Sequence, residues 1–239
     1  MSVVSFGDAV LYEADVRLLE PGQWLNDAVI SFCFEHLRHS LQQQQEEQEQ
    51  RQGVAADAAD AVRGSVVFVD PAAVQLIHSV SAAEAKALVL EPLGACDPAT
   101  SLVLLAFSDV DVACHPNAGS HWALLVFDTA LREAWYLDSM PFPSMRQVAQ
   151  RLFQTISPSL QASRAQPEHP YTFRECAIPA QGNSSDCGMH AVATAEHVAR
   201  ERTLQGIAFH HLTPHYILQQ RRRWQVSSRK VESRVREGG

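Results

Sequence analysis

Two strand-like runs, residues 120–127 and 133–138, are separated by only five residues, 128–132, and no other feature of the sequence constrains the fold more. A linker that short makes the runs pair antiparallel as a hairpin. A third run, residues 101–107, stands just upstream, so a sheet with neighbouring strands is expected. If Val126 pairs with Glu133, His121 falls directly opposite Asp138. Opposed side chains share a face, with Cβ atoms about 5 Å apart. An aspartate there accepts from one ring nitrogen of the imidazole, fixing the tautomer and supporting the charged form, while the other nitrogen is left for a second group. A slip of one residue would send the two to opposite faces.

The second group is a thiol. The run Gln181-Gly182-Asn183-Ser184-Ser185-Asp186-Cys187-Gly188 is a polar, glycine-containing loop that opens a helical segment over 186–202. A cysteine at a helix N-terminus feels the positive end of the dipole and nearby unpaired N–H groups, which favour the nucleophilic thiolate. Gln181, six residues before Cys187, can present its side-chain amide to an oxyanion, with the Cys187 N–H as second donor. His190 is a competing base, but one turn into the helix it is badly placed to reach back to Cys187 and also meet a carboxylate. His115, His210, His211 and His215 read as loop or rim residues. Trp24 and Trp122 each adjoin a polar element, and flat aromatic walls beside a nucleophile can form a slot passable only to a peptide without side chains.

Residues 24–39 read as a helix capped by Asn26 or Asp27, with Val29, Ile30, Phe32, Cys33 and Leu37 on its apolar face. A strand over 66–69, a helix opening at Asp70-Pro71, and helices over 82–90, 143–156 and 213–226 follow from the same patterning, as does a strand over 171–178. The chain is read as a single domain, 1–239. Residues 40–64 form a low-complexity insertion, a Gln/Glu tract over 42–52 and an Ala/Asp-rich stretch over 53–63, expected to be a solvated helical extension or disordered. The basic run from Arg221-Arg222-Arg223 onward is expected to fray into solvent, with 228–239 a disordered tail.

A hydrophobic content of 46% with 19% charged residues is globular. The net charge of −8 disfavours nucleic acid as a partner. No apolar run is long enough for a membrane span, and no secretory signal is visible. The five cysteines, Cys33, Cys96, Cys114, Cys176 and Cys187, include no Cys-x-x-Cys, so neither a disulfide framework nor a zinc site is expected, and a reducing compartment, cytosol or nucleus, fits best.

The order His, Asp, Gln, Cys, with Trp24-Leu25-Asn26-Asp27, Gly119-Ser120-His121-Trp122, Tyr136-Leu137-Asp138-Ser139 and Cys187-Gly188-Met189, resembles the ubiquitin-like-protein-specific cysteine proteases, the sentrin/SUMO-specific (Ulp-type) group, and most of all its deneddylating branch. The resemblance runs from about Asp15 to Trp224. It implies an α/β (α+β) papain-like fold of the adenain type, a central mixed sheet flanked by helices. It also implies cleavage after the C-terminal Gly-Gly of a ubiquitin-like modifier, the neddylation modifier ahead of SUMO, by a monomer without cofactor or metal. Cys187 would be the nucleophile, His121 the base, Asp138 its orienter and Gln181 the oxyanion donor. Trp24 and Trp122 would form the Gly-Gly tunnel, with Asp27 near the modifier's tail. Gly182, Ser185 and His190 depart from the pattern of the branch. Two other readings stay open on the residues alone. An acetyltransferase with a similar His–acid–Cys set would need basic contacts to an acyl-CoA, none of which is clear, and a non-catalytic modifier binder would be signalled by a missing triad member.

Overall fold

The computed structural model describes residues 3–52, 64–109, 120–162 and 169–237. A short antiparallel hairpin, β1 (Val3–Phe6) and β2 (Ala9–Tyr12), leads into α1 (Glu13–Arg17) and the long α2 (Asp27–Gln52). Next come β3 (Ser65–Val69), α3 (Pro71–Ser79), α4 (Ala82–Ala85) with a π-helical turn over Lys86–Leu90, then β4 (Thr100–Ser108), β5 (Trp122–Asp128) and β6 (Glu133–Asp138). The chain closes with α5 (Pro143–Ala162), β7 (Thr172–Ala177), α6 (Cys187–Glu201) and α7 (Pro214–Glu237).

The central sheet has the order β3-β4-β5-β6-β7, with the outer pairs parallel and the inner pairs antiparallel. It is therefore the mixed sheet of an α/β fold. Strands β4 and β5 are apolar at nearly every position because helices cover both faces. Leu104, Ala106, Leu124, Val126 and Leu137 face α2, α6 and Trp224 of α7. Leu105, Phe107, Leu125, Phe127 and Tyr136 face α3 and α5.

The register of the β5–β6 hairpin differs from the expected one by two residues. Val126 lies opposite Trp135 and Leu124 opposite Leu137. The cause is a tighter turn. Asp128 Oδ1 accepts from the N–H groups of Ala130 (3.0 Å) and Leu131 (2.9 Å), and Arg132 takes a left-handed conformation (φ 55°), so Asp128 itself pairs with Glu133. A shift of two preserves the face. His121, one residue ahead of β5, and Asp138 at the end of β6 therefore still share a face, offset diagonally rather than opposed.

The helix expected over 24–39 is capped by Asn26, whose Oδ1 accepts from Val29 N–H (3.1 Å), and it continues through the Gln/Glu tract to Gln52. The stretch 53–63 and the loop over 110–119, with Cys114 and His115, lie outside the described residues. The segment 82–90 is not one regular helix, since α4 passes into the π-helical turn. The basic run from Arg221 lies within α7, and as far as Ser228 it is packed rather than solvated, because Ile217, Arg221, Trp224 and Ser228 recur at helical spacing and are all buried. The tail expected to be disordered over 228–239 is helical as far as Glu237, and 238–239 lie outside the described residues. Among the described residues no helix is long and apolar enough to cross a membrane.

Candidate active site

The carboxyl ends of β6 and β7, the start of β5 and the start of α6 converge on one place. His121 is buried there, and its Nε2 lies 2.6 Å from Asp138 Oδ1. Its backbone is pinned by Asp109, whose Oδ1 accepts from the N–H groups of Ser120 (2.6 Å) and His121 (3.0 Å). Asp138 is itself held on three sides. Oδ1 also accepts from Met140 N–H (2.8 Å), and Oδ2 accepts a short hydrogen bond from the Tyr136 hydroxyl, two residues back on the same face of β6. Burial and the Asp138 carboxylate push the Tyr136 phenol well above its ordinary range.

Burial alone would pull the His121 pKa down. The hydrogen bond that the imidazole donates to Asp138 and interaction with the Cys187 thiol outweigh it and raise the pKa to about 9. The other ring nitrogen, Nδ1, is buried and makes no hydrogen bond of good geometry, so it is the nitrogen left to face Cys187. An imidazole so placed is protonated at neutral pH.

Cys187 is the first residue of α6, 2% exposed. Asp186 holds the N-cap position but makes no side-chain cap. Its Oδ1 accepts from Arg221 Nε (2.8 Å) and its Oδ2 from Asn183 Nδ2 (2.7 Å). Asn183 Oδ1 in turn accepts from Ser185 N–H (2.9 Å) and Asp186 N–H (3.0 Å), which coils the loop into the helix. The Cys187 N–H, at the first helical position, has no acceptor within the helix. Gly188 allows the chain to approach closely, since an added Cβ would sit 3.0 Å from Leu25 Cβ.

Gln181 is locked to the same constellation. Its N–H bonds Ser139 O (3.0 Å), its Oε1 accepts from Ser139 Oγ (2.7 Å), and its Nε2 donates to Asn183 O (2.6 Å). One Nε2–H stays uncommitted by these bonds. Trp122 is mostly buried and donates from Nε1 to Leu25 O (2.9 Å), while Trp24 on the same stretch is 43% exposed. The two indole-bearing segments are thus tied together beside Gly188. Asp27 opens α2 and accepts from Gln75 Nε2 of α3 (3.3 Å); burial raises its pKa, and Asp70 adds to the effect. His190 is buried, with its pKa lowered to about 4 by that burial, as befits a packed neutral imidazole.

Four contributors were not singled out from sequence. Tyr136 and Ser139 flank Asp138 within its own strand motif, and period-two alternation alone places Tyr136 on the aspartate's face. Phe142 packs its ring edge-on to His121 at 5.5 Å between centroids. Arg221 was hidden in a run of three arginines, although its spacing from Ile217 and Trp224 puts it on the buried face of α7. Among the described residues no group of three or more His, Cys, Asp or Glu is placed to hold a metal.

A buried carboxylate, an imidazole and a thiol at the head of a helix, mounted on a mixed sheet, are the groups that nucleophilic thiol chemistry needs. Residues 95–233 match the Ulp1 protease family, C-terminal catalytic domain, and the chain belongs to that family of ubiquitin-like-protein proteases. It is 30% identical to sentrin-specific protease 8 of Homo sapiens over 226 residues, covering 93% of each chain. It is 27% identical to NEDD8-specific protease 1 of Arabidopsis thaliana over 199 residues, 81% of this chain and 73% of that one. In structure it is similar to the SUMO protease Ulp1 with its catalytic cysteine oxidised to a sulfinic acid (TM-score 0.63, 14% identity, 97% of this chain and 90% of the other), a likeness of fold.

Proposed function

We propose that the protein is a deneddylase, cleaving the bond after the C-terminal Gly-Gly of the neddylation modifier, and that Cys187, His121, Asp138 and Gln181 carry the reaction. The observation that carries this reading is the His121 imidazole, bound to Asp138 at 2.6 Å through Nε2 with Nδ1 left for the thiol. The name of one relative, NEDD8-specific protease 1, favours the modifier.

In this reading the Cys187 sulfur attacks the terminal glycine carbonyl, its proton residing on His121. The tetrahedral oxyanion is met by the Cys187 N–H and the free N–H of Gln181 Nε2. His121 then protonates the departing amine, the C–N bond breaks and a thioester remains. His121 next takes a proton from water, which attacks the thioester and releases the modifier carboxylate and the thiol. Trp24 and Trp122 flank the passage of the Gly-Gly tail, and Asp27 lies toward the tail's upstream residues. Such a thiol needs a reducing compartment, and cytosol or nucleus is its place.

Modifiers ending in a C-terminal electrophile (ubiquitin, SUMO and the neddylation modifier in parallel) test the assignment. The neddylation modifier is expected to label the protein and to leave Cys187→Ala unlabelled. Labelling by SUMO alone would replace the modifier, and labelling of Cys187→Ala would remove the nucleophile from the scheme.

A smaller effect is expected at Ser139. Ser139→Ala frees Gln181 Oε1 and lets the amide rotate, which at about 1 kcal/mol for one hydrogen bond lowers kcat roughly fivefold. The same substitution made in a Gln181→Ala background is expected to change nothing further, because its effect passes through that amide. An equal loss in both backgrounds would give Ser139 another role.

A further inference from the structure

Arg221 projects from α7 into the interior, 1% exposed. Its Nη1 donates to the carbonyl oxygens of Leu18 (3.0 Å) and Glu20 (3.1 Å). Its Nη2 donates to those of Gln23 (2.8 Å) and Ser185 (3.0 Å), and its Nε to Asp186 Oδ1 (2.8 Å). All five N–H groups of the guanidinium are used. The acceptors come from two stretches remote in sequence. Leu18, Glu20 and Gln23 lie on the irregular turn between α1 and α2, and Gln23 is one residue before Trp24. Ser185 and Asp186 end one residue before Cys187.

We propose that Arg221 is a positioning residue for the peptidase reaction. It sets the Trp24 wall at a fixed distance from the Cys187 sulfur, and it holds the Asp186 carboxylate away from the N-terminus of α6. The inference rests on the function proposed above. Three observations carry it. A buried charge is a poor device for stability alone, since well-packed apolar residues commonly do as well. A planar fork with five donors is a good device for fixing relative geometry, and a lysine with three rotatable donors cannot copy it. Finally, an aspartate at an N-cap ordinarily accepts from the first helical N–H groups. Here both of its oxygens are drawn elsewhere, one by Arg221 and one by Asn183, which leaves the Cys187 end of α6 open to a substrate oxyanion. Without Arg221 the carboxylate is free to turn back onto the helix, where it would compete for the same N–H groups and repel the developing negative charge.

The test separates the thiol from the channel that feeds it. Arg221→Gln, checked for cooperative thermal unfolding, is compared with the unaltered protein in two reactions. One is alkylation of Cys187 by iodoacetamide across pH, which needs neither the Trp24 wall nor an oxyanion site. The other is labelling by the neddylation modifier bearing a C-terminal vinyl sulfone, together with kcat and KM on a modifier fused through its terminal glycine to a fluorogenic amine. The expected result is that alkylation of Cys187 persists with a similar limiting rate at high pH, its profile moved to higher pH by the Asp186 carboxylate turned back beside the thiol. Labelling and kcat are expected to fall by at least about tenfold, where a misplacement of about 1 Å can cost 100-fold. Arg221→Lys, which keeps the charge but offers three donors to five acceptors, is read in the same way should Arg221→Gln fail to fold. Parallel losses in both reactions, unchanged labelling, or failure of both variants to fold would each assign Arg221 to stability or to nothing, and the inference would be wrong. If the unaltered protein reacts with iodoacetamide but with no modifier probe, the proposed substrate falls and this inference with it, a result distinct from variants that label normally.

Discussion

Asp138→Asn is expected to lower kcat by about 10²- to 10⁴-fold, with modifier binding retained. The upper figure applies where an asparagine amide turns toward the imidazole and selects the wrong tautomer. The surroundings of Asp138 work against that outcome. Met140 N–H needs an acceptor at the Oδ1 position, so the asparagine carbonyl is drawn to the side that also faces His121 Nε2. The Tyr136 hydroxyl, which donates to Oδ2, can rotate to accept from the new amide. The geometry is therefore kept and the charge is lost. The pH profile reports that loss. Asp138 and Cys187 together hold the His121 pKa up at about 9 against burial, so kcat/KM of the unaltered protein should fall as pH rises through about 9, where His121 gives up the proton its leaving amine requires. Removing one of the two raising charges lowers that pKa, so the imidazolium is lost earlier and the alkaline limb moves to lower pH. An unmoved limb with an unchanged kcat would show that a different acid serves His121.

The parts of the site that were legible in the sequence are those in which short-range structure does the positioning. Cys187 stands at the first position of α6 because a polar Asn-Ser-Ser-Asp loop precedes an apolar helical run, and both signals are local. His121 and Asp138 could be paired because a hairpin with a short linker has few registers. The turn could not be read in detail: the Asp128 side chain and the left-handed Arg132 close it two residues tighter, and only the parity of the error preserved the pairing. The β1–β2 hairpin went unread although Gly7-Asp8 sits between alternating runs, because four-residue strands give too little periodicity. Arg221 shows the opposite problem. Three consecutive arginines read as a solvated charge run, and only the placement of Ile217 and Trp224 on the same face of α7 shows that one of the three points inward. What makes that burial tolerable, five acceptors from two distant stretches, is a tertiary fact with no local signature.

Gln181→Ala is expected to reduce kcat by about 10²- to 10³-fold with little change in KM, the signature of a donor that acts on the oxyanion rather than on the ground-state carbonyl. The prediction rests on how completely the Gln181 amide is committed. Its oxygen accepts from Ser139 Oγ at 2.7 Å, and the flipped amide is excluded because it would set the side-chain oxygen against the Asn183 carbonyl, two acceptors facing each other. One hydrogen of Nε2 goes to Asn183 O at 2.6 Å, across the loop that carries Cys187. The second hydrogen is held by those two bonds in a fixed direction before substrate arrives, so no reorganisation is needed as charge develops on the carbonyl oxygen. Gln181→Glu separates this role from a structural one. A glutamate keeps the bond from Ser139 but offers the oxyanion a negative charge in place of an N–H. It should therefore be at least as damaging as alanine, and because both variants lose the bond to Asn183 O the two should unfold at temperatures close to each other. A glutamate variant with near-normal kcat would place the oxyanion on other donors and reduce Gln181 to a strut between Ser139 and the Asn183 loop.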